Sequence, residues 1–216
     1  LAVVGGPLLA ACSVDNPATE GGTSGTSGGG TGEIVVAAPG LATVFAPDGG
    51  NSVGVVNTLV WPNLGAGLLR NPFKDVDGER EQDPYEFEGW LAESYEVSDD
   101  QRVVTFRMRP GVTSAVGNPL TADDVMWSME RRILAPTAVR AASIKTAIPD
   151  MSAFTKVDDM TVTLTVTDPK WMYAALNYLA VTYNGFIFDS VELKKHVTPD
   201  DPYAVTWSKT NYNFGF

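Results

Sequence analysis

From Glu33 onward the sequence predicts a mixed α/β domain with antiparallel hairpins set beside helices, on three observations. Val104, Phe106 and Met108 alternate with Thr105 and Arg107, the period-two pattern of a strand with one apolar and one wet face. Met160-Thr161-Val162-Thr163-Leu164-Thr165-Val166-Thr167 repeats that pattern, with Val162, Leu164 and Val166 on one face and threonines on the other. Between the two, Val125, Met129 and Ile133 recur every fourth residue with Met126 beside them, which is one face of a helix.

Taken in chain order, Glu33-Ile34-Val35-Val36-Ala37-Ala38, ended by Pro39-Gly40, reads as a buried first strand. Asn57 to Leu69 reads as a helix with Trp61-Pro62 near its middle or breaking it. Residues 71–89, dense in acidic groups with Pro and Gly interspersed, read as an exposed irregular loop. Leu91 to Val97 and Val103 to Met108 form a hairpin across Ser98-Asp99-Asp100-Gln101. Asp99 and Asp100 are explained by turn chemistry, because Asp accepts hydrogen bonds from its neighbouring backbone, and no metal is needed.

Thr121 caps the central helix and Asp124, three residues on, completes a capping box; Pro136 stops the helix. Asp123 and Asp124 are therefore a helix start and not an acid/base pair, and the methionines are core fillers. Asp158-Asp159 makes a second polar turn. Asp168-Pro169 supplies an N-cap and a first-turn proline for a helix through Trp171, Ala174, Ala175 and Tyr178. Val181 to Phe188 reads as a further buried strand.

Residues 1–12 are of another kind. Eleven uncharged residues run into Leu9-Ala10-Ala11-Cys12, which resembles a bacterial lipobox. The stretch suits the apolar part of an export signal, here entered partway, and is too short to span a bilayer, which takes about 20 apolar residues. Cys12 is the chain's single cysteine, so it forms no internal disulfide, and lipid attachment accounts for an exported thiol. From Ser13 to Gly32 the composition turns to Gly, Ser and Thr, a flexible tether without apolar surface to order it. Its Gly25-Thr26-Ser27-Gly28-Gly29 matches a hydrolase nucleophile pattern only formally, since no strand precedes it. The expected organisation is thus 1–12 partial signal peptide and lipobox, 13–32 linker, and 33–216 folded domain.

A net charge of −11 excludes nucleic acid as partner, because neutralising phosphates takes clustered Lys and Arg. The only histidine, His196, has no second His or Cys to make a metal site with it. No Ser, His and Asp stand in motif context in the folded part, so catalytic residues, metal and cofactors are all expected to be none.

Trp90-Leu91-Ala92-Glu93-Ser94-Tyr95-Glu96-Val97-Ser98-Asp99-Asp100 resembles "P-x-LAESYEVSDDG" of the family 5 extracellular solute-binding proteins, the oligopeptide-, dipeptide- and nickel-binding group. Val104 to Val112 is similar to the family's "YTFHLRKGVKF", and Gly117 to Arg131 to its "DGTPLTADDVVFSLER". Asn63-Leu64 through Leu69 and Val157 to Leu164 are similar to two further segments, so the likeness runs from about Glu33 to Phe216. Departures fall in surface turns: Gly89-Trp90 where the family has a proline, Gln101 for the usual turn glycine, and Thr113 to Gly117 without the usual acid.

The resemblance implies the class II periplasmic-binding-protein fold, a two-lobed α/β clamp, of which only the N-terminal lobe region is present. It implies a monomeric receptor that captures peptides or another small solute outside the membrane. Delivery would be to the permease and ATPase subunits of an ABC importer, without catalysis. Trp61 and Asn63, just before the Gly-Leu segment, are the candidate ligand-facing residues; the alternative makes Trp61 core and Asn63 a turn residue. The family chain is longer, so this chain is expected to hold one wall of the cleft and to bind no peptide usefully by itself. Two rivals stay open here: an exported lipid-anchored hydrolase, and a sensory lipoprotein that keeps the fold without transport.

Overall fold

The computed structural model describes residues 64–135 and 143–216. The expected first strand, the linker, the export segment, residues 57–63 and Pro136 lie outside the described residues.

A four-stranded antiparallel sheet organises the domain. Its strands are β5 (Ala92–Val97), β6 (Val103–Met108), β7 (Phe154–Asp158) and β8 (Thr161–Thr165), in the order β5-β6-β8-β7. Register carries the alternating pattern into one apolar face. Val97, Val104, Leu164 and Phe154 form one row across all four strands, and Tyr95, Phe106 and Val162 begin the next. Val104, Phe106, Val162 and Leu164 are fully buried. On the other face Glu96, Thr105, Thr163 and Thr155 line up. The β5–β6 hairpin and strand β8 are therefore where the sequence puts them; β7, not assigned from sequence, pairs with β8 across the Asp158-Asp159 turn. The first turn is held as expected, with Asp100 Oδ1 accepting from Ser98 Oγ at 2.6 Å and from the Arg102 N–H at 3.1 Å. Gln101 takes φ +55°, so the glycine's place in that turn is filled by a residue in the glycine's conformation.

The central helix, α1 (Ala122–Leu134), packs on β7 and β8. Its capping box is formed: Asp124 Oδ2 accepts from the Thr121 N–H at 2.8 Å and from Thr121 Oγ1 at 3.0 Å. Lys156 Nζ lies 2.9 Å from Asp123 Oδ1 and 2.9 Å from Asp159 Oδ1, tying the helix start to the second polar turn. The sequence shows only the apolar face of α1. The structure also buries the stripe Asp124, Ser128, Arg131 and Arg132, whose helical spacing puts them together. Asp124 Oδ1 accepts from the Ser190 N–H, and Ser128 Oγ donates to the Asp124 carbonyl while accepting from the Phe188 N–H.

Across that stripe stands a second core of Trp127, Phe186, Phe188, Leu193, Ala204 and Phe214. The Phe186–Phe188 and Phe188–Phe214 ring centroids are 4.9 and 5.5 Å apart, close enough for the rings to stabilise each other beyond their buried area.

Three expectations need correction. The described part of Asn57–Leu69 is extended, not helical: Gly67 bridges Phe186, and β1 (Leu69–Arg70) pairs with β4 (Glu88–Gly89). Close glycines remove the side chains a helix would pack with, and the backbone instead lies against neighbouring chain. Residues 71–89 are exposed but regular. β2 (Phe73–Val76) and β3 (Glu79–Gln82) form a hairpin through Asp77-Gly78, both at positive φ (+53° and +88°), the two-residue turn matched to strand twist. Val181–Phe188 is no strand. Helix α2 (Met172–Ala180), preceded by a 3₁₀ turn that Asp168 caps, is followed by a single turn α3 (Thr182–Gly185). Only Phe186 and Phe188 then make isolated bridges, to Gly67 and Gly215. The short helices α4 (Ser190–Leu193) and α5 (Val205–Ser208) complete the fold.

Six surface carboxyls, Asp83, Asp100, Asp150, Asp158, Asp168 and Glu192, are held below their ordinary range. For Asp83, Asp158 and Asp168 the main cause is a backbone N–H; for Asp100 and Asp150 a serine; for Glu192 Lys195. A carboxyl depressed in the folded state stabilises the fold above its unfolded pKa, and that contribution fades as pH falls through the folded value. Lys74 and Lys156, raised by their Asp partners, act in the opposite sense and lose their contribution as pH rises through the folded value. The melting temperature should therefore be level near neutrality and fall once pH drops below about 4 or climbs past about 10. A thermal series against pH checks this, and a melting temperature rising on acidification contradicts it.

Candidate functional site

An open depression of about 550 Å³ lies where three segments meet. Leu64–Ala66 leads into β1, Trp90–Leu91 joins β4 to β5, and Arg109 to Ala115 leaves β6; Gly215 and Phe216 close the end. Backbone bonds fix the segments to one another. The Trp90 N–H donates to the Leu68 carbonyl at 2.9 Å, the Leu91 N–H to Gly67 at 3.1 Å, and the Arg109 N–H to Leu91 at 2.8 Å. The Ala115 N–H reaches the Gly215 carbonyl at 3.3 Å, and Gly215 in turn packs against the Leu64–Gly65 backbone.

The groove is mostly apolar, with the Trp90 ring, Leu64, Leu91, Val112 and Phe216 as walls. Among the described residues its one charged lining residue is Arg109, which is exposed and whose Nε donates to the Trp90 carbonyl at 3.2 Å. An apolar concavity with few polar groups is the usual build of a small-molecule site. Nothing in it resembles a nucleophile with a base.

Of the residues singled out from sequence, Cys12, Trp61 and Asn63 lie outside the described residues. Leu64, which follows Asn63 in sequence, is the first of the described residues that line the groove. Asp100 holds the hairpin turn and Asp124 the helix cap, as read; Asp99 lies in the same turn, and Asp123, in the first turn of α1, pairs with Lys156. His196 stacks on Trp207 with centroids 3.9 Å apart and planes within 8°, its Nε2 3.3 Å from Glu192 Oε1. It is a packing residue, and among the described residues no cluster of three His, Cys, Asp or Glu is placed to hold a metal. No described helix is long and apolar enough to cross a membrane. Sequence reasoning did not single out Trp90 and Arg109, which line the groove. Both stand in the family-like segments.

The described residues form an α/β unit with an open, mostly apolar groove. Comparison with known proteins says which kind. Residues 86–212, more than half of the chain, match the profile described as bacterial extracellular solute-binding proteins, family 5 middle. The chain belongs to that family. Over 116 residues it is 30% identical to the probable D,D-dipeptide-binding periplasmic protein DdpA of Escherichia coli (strain K12), covering 52% of this chain and 20% of that one. The chain thus spans about a fifth of this relative's length. The periplasmic binding protein MoaA of A. tumefaciens R10, solved with mannopinic acid, superposes with a TM-score of 0.55 at 26% identity. That match covers 75% of this chain and 30% of the other. DppA from Helicobacter pylori, solved with the peptide STSA, gives a TM-score of 0.53 at 18% identity, covering 76% and 32%. At that identity the likeness speaks for the fold, that of periplasmic binding proteins, of which this chain carries a part.

Proposed function

We propose that the chain is part of the substrate-binding lipoprotein of an ABC importer, which captures peptides outside the cell membrane and hands them intact to a permease. The observation that carries this reading is the open groove of Trp90, Arg109 and Leu64–Ala66, which sits beside Trp61 and Asn63 in sequence. Family membership and the name of the dipeptide-binding relative support it. Cys12 is the lipid anchor, and residues 13–32 are a tether that gives the receptor reach to its permease. One lipid chain holds a protein only marginally, so the anchor carries more than one. Trp61 and Asn63 are the candidate ligand-contacting residues just before Leu64 in sequence, and the receptor acts as a monomer without catalysis.

The test is to incubate the full-length protein with a mixture of short peptides, wash, denature, and identify what is released by mass spectrometry. Intact peptides at stoichiometric yield are expected. Cleaved peptides mark a hydrolase, and recovery of non-peptide solutes alone overturns the peptide reading.

A further inference from the structure

The turn that joins β5 to β6 uses only one of its two acids. Asp100 accepts from the Ser98 hydroxyl and the Arg102 N–H. The exposed Asp99 carboxylate and the Gln101 carboxamide make no hydrogen bond or ion pair with any described residue. The cations nearest in sequence to the turn and to α2 are engaged elsewhere. Arg102 Nη1 donates to the Thr167 carbonyl at 3.3 Å, and Lys170 Nζ lies 3.4 Å from Asp168 Oδ2. Turn and helix meet around an open depression of about 420 Å³. Val97, Met172 and Leu176 make its apolar floor, Asp99 and Gln101 line it from the turn, and Tyr173 from α2. Tyr173 is fixed, its hydroxyl donating to the Pro84 carbonyl at 2.9 Å and its ring centroid 5.5 Å from that of Phe87, yet it is 48% exposed.

This depression is not the groove. The groove touches Leu91 and Arg109, just before β5 and just after β6. Val97 and Gln101 stand at the other end of the same two strands, about 20 Å away at the usual rise per residue. An apolar floor, a fixed aromatic ring and an unpaired carboxylate together complement a cation on an aliphatic stem. The stem covers the floor while the charged head stays wet, and both ring and carboxylate attract the head.

We propose that this depression is a second binding site, separate from the groove, for an alkyl cation: a guanidinium or ammonium group on an aliphatic stem. Asp99 holds the head, and Met172 and Leu176 hold the stem. The chain's net charge of −11 draws cations towards the whole surface, and the turn and α2 decide where one is kept. The cation comes either as a free ion or as the side chain of an arginine or lysine.

The experiment follows the methionine methyl signals of the isotopically labelled full-length protein by NMR, with Met172 assigned through Met172→Leu. Three probes are titrated: butylguanidinium, its neutral counterpart butylurea, and N-acetyl-arginine methylamide. Butylguanidinium should shift the Met172 signal with half-saturation at about 1–10 mM. The signal of Met108, at the groove end of β6, should stay in place. Butylurea should bind at least about 5-fold more weakly, because it lacks the charge that the ring and the carboxylate attract. Asp99→Asn should weaken butylguanidinium by about 2- to 5-fold. Asp99 is exposed and bonds nothing described, so this variant should melt with the wild type. If the arginine amide binds as well as butylguanidinium, the site takes a protein side chain; if butylguanidinium alone binds, it takes a free ion. Absence of a shift at Met172 overturns the proposal. So does equal binding of butylurea, or an unchanged affinity in Asp99→Asn.

Discussion

Arg131→Met should lower the unfolding free energy by about 2–4 kcal/mol, since two charge-assisted hydrogen bonds are lost and their acceptors left without that donor. Arg131 is fully buried at the seam between the sheet-backed core and the aromatic cluster. Its Nη1 donates to the Tyr203 carbonyl at 2.7 Å and its Nη2 to Ser208 Oγ at 2.7 Å, and its guanidinium carbon lies 4.3 Å from the Phe188 ring centre. Methionine keeps the volume but donates nothing, so the Tyr203 carbonyl and the Ser208 hydroxyl lose their donor in a site that water does not reach. Tyr203 directly precedes Ala204, which holds φ +50° while completely buried. The Arg131 bond therefore also clamps a strained backbone step at the start of α5. Urea unfolding should show the midpoint falling with the slope unchanged; a loss under 1 kcal/mol would mean that another contact holds α5 in place.

Gly185→Ala should cost about 3 kcal/mol, at the upper end for overpacking, and drop the melting temperature by about 6–12 °C. A β-carbon at this position would sit inside the van der Waals shell of the Leu179 carbonyl oxygen, with the Leu179 carbonyl carbon and Cα close behind. These are backbone atoms in the last turn of α2, so no side chain can swing away. Leu179 is itself fully buried, which ties the clash to the main core. The effect should reach the groove, because the Gly185 carbonyl lies against Gly67, next to Ala66 in the groove wall. Differential scanning calorimetry checks the shift, and a variant that melts with the wild type refutes the packing described here.

Much of the sheet and of α1 was readable because one physical rule decides each of those elements locally. Val104, Phe106, Val162 and Leu164 alternate, and alternation alone assigns their face. Thr121 and Asp124 mark the start of α1 by a side-chain-to-backbone bond within a single turn. The misread segments are those where tertiary context outweighs the local signal. Leu64–Leu69 has the apolar content of a helix, yet its glycines serve close contact with other segments of the chain. Phe186 and Phe188 are buried as a strand's residues would be, but they belong to a ring cluster completed by Trp127 and Phe214 from distant parts of the chain. The hairpin at Asp77-Gly78 was locally encoded and was outweighed by the acidic composition around it. The groove was the least legible part. Trp90 and Arg109 gain their meaning only when the ends of β4 and β6 meet, and no spacing in the sequence records that.

The central claim is that this groove forms part of the wall of the solute site. Its most direct test is calorimetric titration of the full-length protein with trialanine and D-alanyl-D-alanine, wild type against Ala115→Trp. Ala115 is exposed at the groove, so an indole there fills the depression without entering the core. The expected result is wild-type binding of at least one peptide, at least about 100-fold weaker in the variant, with an unchanged melting temperature. Equal affinity in both proteins would contradict the claim and move the solute site elsewhere.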